Sequence, residues 1–151
     1  MTDTSPVPVQ LKLSIKRVEL IKSQINPVVP NFHAKEFQFT LHLETRLDPT
    51  QRLVFVTTSA DVKADNKPEM LASVSSACIY GVENFDEVFK KSGDMYDIVD
   101  DQLMFPLLSI SISTLRGIMF EQFRGTYLHQ AYVPIIDPKQ FKQAAKFEEK
   151  V

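Results

Sequence analysis

EFQFTLHLETRLD, residues 36–48 of this 151-residue chain, is the stretch that decides the fold class. Apolar side chains stand at every second position from Phe37 to Leu43 and again at Leu47, while the residues between them are mostly polar. This alternation predicts a half-buried β-strand, because successive side chains of a strand point to opposite faces of the sheet. Asp48-Pro49-Thr50 predicts the turn that ends the strand.

The preceding stretch predicts a strand with an irregularity in it. Apolar and polar residues alternate from Val7 to Ile15, and after Arg17 the pattern changes phase, so that Val18 and Leu20 take the apolar positions. An extra residue in a strand has this effect, and we therefore predict a β-bulge near residues 16–17.

Two more strands are predicted after the turn, over residues 52–62 and 69–81, with a second turn at 65–68. In the first of these, Val54, Val56 and Val62 share one face, and Leu53 and Phe55 lie on the other. Together the four stretches predict a four-stranded antiparallel sheet, either a meander or a Greek key.

The hydrophobic period changes to that of helices after this sheet. Asn84 followed three residues later by Glu87 predicts a capping box for a short helix over 85–91, with a loop over 92–97. A long helix is predicted from 99 to 124, regular from Phe105, because Pro106 is tolerated only in a first turn. Gly125 is its predicted C-cap.

The C-terminal segment predicts a last helix after an irregular crossing over 126–136. Asp137-Pro138 has the residues of a helix N-terminus, and the helix that follows carries Phe141, Ala145 and Phe147. The chain is thus expected to be one α+β domain over 1–151, with a polar tail at 1–6. Its sheet is expected to be Greek-key-like, with the long helix and the C-terminal helix packed on one face.

The long helix is too apolar for a helix that lies on one sheet only. Ile110, Ile118, Phe120 and Phe123 spread over its other faces, which is typical of a helix that also packs against another subunit. Four residues that stack on one face are predicted to form this oligomer interface: Leu108, Ile112, Leu115 and Met119.

Composition excludes several classes of function. With 17 basic and 19 acidic side chains the net charge is −2, which argues against a nucleic-acid partner. Cys78 is the single cysteine, and residues 1–8 do not have the pattern of a secretory leader, so a cytoplasmic protein is expected. The longest apolar stretch, 103–118, is broken by serines and Arg116, and no membrane insertion is expected.

No catalytic or metal-binding group emerges from the sequence. His33, His42 and His129 are not spaced as metal ligands, and Cys78 has no neighbouring base that would lower its pKa. We therefore expect neither an enzyme nor a cofactor. By contrast, 11 Phe and 4 Tyr suit an apolar groove or an interface.

Several short motifs resemble the SecB family of protein-export chaperones over roughly residues 9–148. They are Phe105-Pro106 at the start of the long helix, Arg124-Gly125-Thr126-Tyr127 at its end, the Val133-Pro134-Ile135-Ile136-Asp137 lead into the last helix, and Lys35-Glu36-Phe37-Gln38 at the entry to the second strand. The resemblance implies a homotetramer, a dimer of dimers, that holds unfolded clients in long apolar grooves without ATP.

The resemblance also implies which residues line the groove. They come from the first and second strands, the crossing and the last helix: Ile25, Phe37, Leu41, Leu43, Val133, Ile135, Ile136, Phe141 and Ala145. Members that serve the SecA motor are markedly acidic, whereas this chain has Lys22 near a position where a carboxylate is expected. A relative with other clients, such as one that guards an antitoxin, is therefore the alternative to an export chaperone.

Two further hypotheses remain open from the sequence. One is an oligomeric scaffold of the same fold that binds a single defined partner. The other is a carrier of a small apolar ligand between the sheet and the last helix, which would also use the aromatic residues.

Overall fold

The computed structural model describes residues 8–27, 36–65, 67–137 and 146–148. A four-stranded antiparallel sheet is followed by a short hairpin and one long helix. A single 3₁₀ turn at Asp101–Met104 leads into that helix. The elements are β1 (Leu13–Ile25), β2 (Phe37–Asp48), β3 (Leu53–Ala64), β4 (Met70–Val82), α1 (Phe85–Val88), β5 (Phe89–Ser92), β6 (Met95–Ile98), α2 (Phe105–Phe123) and β7 (Lys146–Glu148).

The large sheet has the strand order β1-β4-β3-β2, so the Greek-key alternative is the one observed. β2, β3 and β4 are joined by hairpins, and β1 lies antiparallel to β4 instead of β2. The predicted bulge is confirmed, since the register between β1 and β4 shifts between Ile15 and Arg17. A second shift, between Leu20 and Lys22, was not expected from the sequence.

Alternation along β2 and β3 separates the two faces of the sheet. Leu41 lies opposite Ala60, and Leu47 lies opposite Val54, on the face that α2 covers. On the other face Arg46 lies opposite Phe55. We call these the helix-side face and the outer face.

The stripe that the sequence predicts as an oligomer interface lies in the core of the single chain. Leu115 and Met119 have no exposed surface, and Leu108 and Ile112 are 2% and 3% exposed. They contact the chain's own sheet because the small residues of β4 let the helix approach closely. These four side chains therefore offer no surface to a second copy, and the prediction is corrected on this point.

One buried polar contact joins α2 to the sheet. The Tyr80 hydroxyl donates to the Leu107 carbonyl oxygen at 3.1 Å and also forms a hydrogen bond of 2.7 Å with the Ser111 hydroxyl, and neither the Tyr80 nor the Ser111 side chain is exposed. Burial raises the pKa of the Tyr80 phenol far above its ordinary value.

Helix α2 runs without interruption through Arg116 and Gly117, and its regular part begins at Phe105 as predicted. Gly125 follows its end with φ of 75°, a conformation that glycine adopts at little cost. By length and composition alone, the stretch Asp101–Phe123 is apolar enough to cross a membrane. Its buried stripe packs on the sheet, as expected of a core helix.

The segment after the sheet differs from the prediction. α1 ends at Val88, and a hairpin of β5 and β6 replaces the rest of the predicted helix and the loop at 92–97. Instead of capping α1, the Asn84 side chain accepts from the Lys12 backbone N–H at 3.0 Å and donates to the Gln10 carbonyl oxygen. A long-range contact has thus replaced the local capping box.

The predicted last helix falls mostly outside the described residues, as do its groove candidates Phe141 and Ala145. Where the structure describes that part of the chain again, residues 146–148 form β7 and not a helix. β7 pairs with β6 in antiparallel fashion. Pairing with β6 satisfies the backbone hydrogen-bonding groups of residues 146–148, for which the sequence predicts a helix.

Candidate functional site

The apolar row of β2 is the part of the helix-side face that α2 leaves half open. Helix α2 contacts β4 and β3, whereas Phe37, Phe39, Leu41 and Leu43 on β2 remain half-buried at the margin of the core. Among the described residues, no strand pairs with the free edge of β2 in the large sheet, although β7, which pairs with β6, also contacts β2. Four residues at alternate positions of a strand span about 20 Å, so the row is long enough to contact an extended segment.

Hydrogen bonds from the Arg116 side chain hold the segment 131–137 in place. The Arg116 guanidinium on α2 donates from Nε to the Val133 carbonyl oxygen at 2.7 Å and from Nη2 to the Pro134 carbonyl oxygen at 2.9 Å. Val133 is buried in the same core cluster against which the β2 row packs, and Ile136 packs against that cluster as well. The segment therefore adds to the apolar surface around the β2 row.

The end of β1 is also tied to this half of the molecule. Ile25 packs half-buried against the same cluster. The Tyr127 hydroxyl donates to the Asn26 carbonyl oxygen at 2.7 Å, and partial burial raises the pKa of the Tyr127 phenol. These contacts fix the end of β1 relative to the segment that follows α2.

The structure brings together six of the seven predicted groove residues that it describes. Ile25, Phe37, Leu41, Leu43, Val133 and Ile136 lie in or against one core cluster. Ile135 does not join them, because its side chain is 96% exposed. Val133, at 1% exposure, supports the surface from within and contributes little area of its own. Their role in binding a client stays a prediction.

Sequence reasoning missed three residues at the same cluster: Phe39, Ile118 and Tyr127. Phe39 shares the alternation of Phe37 and Leu41 and could have been found by it. Ile118 and Tyr127 reach the cluster only because of how α2 and the turn after it are placed, and no local pattern signals that.

A second apolar strip lies on β1. Ile15, Val18 and Leu20 are 53%, 44% and 48% exposed, and their register partners on β4 belong to the helix-side face. Within the described residues, β4 is the only strand that pairs with β1, so the other edge of this 13-residue strand is open. Long apolar edge strands of this kind are ready to pair with another chain.

Possible metal ligands and nucleophiles are dispersed in the described part of the chain. In the ranges that the structure describes, no three His, Cys, Asp or Glu side chains come together as a metal site. Cys78 is buried and forms no disulfide, and His42 Nε2 lies 3.7 Å from Asp61 Oδ2 on the outer face.

Comparison with known proteins bears on the fold. No family model matches the chain, and no curated protein matches it in sequence. Among solved structures it is similar to the Mycobacterium tuberculosis SecB-like chaperone Rv1957, in complex with a ChAD peptide from the Rv1956 HigA1 antitoxin. The TM-score is 0.52 at 13% identity, over 82% of this chain and 90% of that one.

A protein of unknown function from Streptococcus agalactiae also aligns, with 13% identity over 85% of this chain and 99% of that one, at a TM-score of 0.32. The similarity to Rv1957 agrees with the four-stranded antiparallel sheet and the long helix on one face. The chain therefore has a SecB-like α+β fold.

Proposed function

We propose that this chain is an ATP-independent holdase that binds unfolded polypeptides on the helix-side apolar surface. The observation that carries the proposal is the half-buried row Phe37, Phe39, Leu41 and Leu43 on the edge strand β2, which α2 leaves partly uncovered. Apolar area is captured with little regard to sequence, which suits clients that share only exposed apolar side chains. The SecB-like chaperone of the same fold, which holds an antitoxin peptide, supports a polypeptide ligand.

The test uses two neighbouring residues of β2 that face opposite sides of the sheet. Leu41→Lys places a charge in the apolar row, and Thr40→Lys places the same charge on the outer face. We expect Leu41→Lys to lose most of the suppression of aggregation of reduced, unfolded α-lactalbumin, and Thr40→Lys to retain it. Far-UV circular dichroism and the thermal midpoint serve as controls for folding in both variants.

Equal suppression by the two variants would contradict the proposal. If Leu41→Lys unfolds the chain, Phe37→Lys can replace it in the comparison with Thr40→Lys, because Phe37 is half-buried and is the first residue of β2.

We propose in addition that the functional unit is a homo-oligomer, a tetramer built as a dimer of dimers. The exposed strip of Ile15, Val18 and Leu20 and the open edge of β1 support an interface there, in place of the buried α2 stripe. Light scattering should give a mass four times the 17.2 kDa of one chain, and Val18→Arg should lower it. A wild-type monomer would overturn the proposal.

The specific-partner alternative is favoured by one finding, since the similar chaperone is complexed with a peptide from a single antitoxin. Affinities for several unrelated unfolded polypeptides separate the two functions: similar values support a holdase, and selectivity for one supports a dedicated partner. Binding of a purified SecA-type motor would support a role in export. If no such binding is measured, a role in guarding an antitoxin is supported. We expect either function to be exercised in the cytoplasm.

A further inference from the structure

The two edges of the large sheet differ in regularity. β2 pairs with β3 at twelve successive positions without a register shift, whereas the pairing of β1 with β4 is interrupted by two shifts. β1 also carries Lys16 and Lys22, while β2 contains neither lysine nor proline. Bulges, lysines and prolines are common means by which an edge strand is kept from pairing with other chains. The edge of β2 lacks all three of these protections.

Two hydrogen bonds show which backbone groups of β2 face this edge. The Asp65 N–H donates to the Glu36 carbonyl oxygen at 3.1 Å, in continuation of the β2–β3 register. The Val82 N–H donates to the Arg52 carbonyl oxygen at 3.0 Å, so the even-numbered residues of β3 bond to β4 and the odd-numbered ones to β2. Bonded and non-bonded pairs alternate along an antiparallel ladder. The even-numbered residues of β2 therefore bond to β3, and the odd-numbered residues turn their N–H and C=O groups to the open edge.

The residues with these outward backbone groups are the residues of the apolar row. Phe37, Phe39, Leu41 and Leu43 are odd-numbered, and their side chains are half-buried on the helix-side face. In the part of the chain that the structure describes, the backbone hydrogen bonds outside the strand ladders involve none of these four residues. Apolar side chains and unpaired backbone groups thus coincide at four alternate positions, over about 20 Å.

β7 leaves most of this edge uncovered. It contacts β2 but pairs with β6. Its three residues span about 10 Å, whereas the twelve residues of β2 span about 40 Å. A segment of a partner chain therefore has room beside β2.

The edge selects an extended occupant. A strand added in antiparallel fashion exchanges two hydrogen bonds with each odd-numbered residue of β2, and its residue at that position places its side chain on the helix-side face. The residues between them point to the outer face, beside the exposed side chains of Gln38, Thr40 and His42. A helix could not bind in this way, because its own backbone groups are already bonded to one another.

We infer that the client segment held by this chain is an added β-strand, paired in antiparallel fashion with the open edge of β2. The inference rests on the proposed holdase function and names the kind of segment that the same site prefers. That segment is extended, with apolar residues at alternate positions opposite the β2 row and polar residues between them. Backbone pairing supplies affinity with little regard to sequence, and the apolar row selects the alternation.

Two N-methylated peptides of identical composition separate backbone pairing from capture by apolar area alone. Each has nine residues, in which four leucines alternate with lysines and threonines. The first is methylated at the amides of its two central leucines, which face β2 in the proposed pairing. The second is methylated at the amides of its two threonines, which face away from β2. By calorimetry, we expect the full chain to bind the first peptide about 30-fold more weakly than the second, since it lacks two backbone hydrogen bonds.

Amide hydrogen exchange in the full chain gives a second measurement with its control in the same strand. Without peptide, the amides of Phe39, Leu41 and Leu43 should exchange rapidly, and those of Thr40 and His42 slowly, because only the latter two bond to β3. When the unmethylated peptide is bound, exchange at the three odd-numbered residues should slow about tenfold or more. Exchange at Thr40 and His42 should change much less.

Three results would overturn the inference. The first is equal binding of the two methylated peptides, or tighter binding of the leucine-methylated one. The second is rapid exchange at the odd-numbered residues when the unmethylated peptide is bound. The third is slow exchange there without peptide, because another part of this chain or a second copy would then occupy the edge.

Failure of the inference can be told apart from failure of the proposed function. If Leu41→Lys abolishes suppression of aggregation while the two methylated peptides bind equally, the holdase function is supported and the strand pairing is refuted. If the wild-type chain does not suppress aggregation, the holdase function is refuted, and the peptide measurements still decide whether the edge of β2 accepts a strand.

Discussion

Arg116 is the residue whose replacement most directly tests how the apolar surface is assembled. Its guanidinium donates two hydrogen bonds, of 2.7 and 2.9 Å, to consecutive carbonyl oxygens of the segment 131–137. Hydrogen bonds from a charged donor contribute about 1.5–3 kcal/mol each, and the lower end applies because this site is partly exposed to water. Arg116→Met keeps the aliphatic stem and should destabilise the closed position of the segment by about 2–3 kcal/mol.

Thiol labelling measures this local opening. In a Cys78→Ala background, Val133→Cys places a thiol at a site that is 1% exposed in the wild type, so that it reacts only when the segment opens. We expect Arg116→Met to raise the labelling rate by about 30- to 150-fold, which is the stated free energy expressed as a ratio. If the segment contributes to client binding, Arg116→Met should change the suppression of client aggregation as well as the labelling rate.

Arg124→Met is the matched control. Arg124 lies just after the same helix, where its side chain is 72% exposed and its ion pair with Glu121 measures 3.6 Å. Exposed pairs of this kind contribute little, so the labelling rate should stay within about twofold of the wild type. Equal acceleration by both replacements, or by neither, would refute the role assigned to Arg116.

Three further predictions concern the sheet and its contacts. Tyr80→Phe removes a buried hydroxyl with two partners and should lower the free energy of unfolding by about 1–2 kcal/mol, and a double-mutant cycle with Ser111→Ala in urea denaturation should show that the two changes are not additive. In the folded chain the pKa of the Tyr80 phenol lies above the ordinary tyrosine value of 10.0, so the unfolded chain loses this proton at a lower pH. The free energy of unfolding should therefore be unaffected below about pH 10 and should fall above it by up to about 1.4 kcal/mol per pH unit. This fall should be shallower in Tyr80→Phe. Asn84→Ala should release the stretch before β1 and accelerate tryptic cleavage after Lys12, whereas a helix-capping role for Asn84 would leave that cleavage unchanged.

The sequence alone was sufficient for the four strands of the large sheet and for the limits of α2. Period-two alternation located β2 and β3, and the change of phase after Arg17 located the first bulge. Pro106 and Gly125 marked the ends of α2, because one lacks a backbone donor and the other takes a positive φ. These features depend on each residue and its near neighbours, which is why they could be read without the fold.

Long-range packing decided the features that were predicted wrongly or not predicted from the sequence. The apolar stripe of α2 met the chain's own sheet and not a second copy, because β4 is rich in small residues and stands two strands from β2 in the register that the Greek key sets. Asn84 has two backbone partners more than 70 residues away and one side-chain partner, Glu87, close by, and its side chain caps no backbone group of α1. On the outer face, Arg17 of β1 and Arg46 of β2 stand at the two ends of one row across the sheet, although they are far apart in sequence. Local patterns determine which elements form, but which side chains face one another depends on strand order and register, and these are set only when the whole sheet assembles.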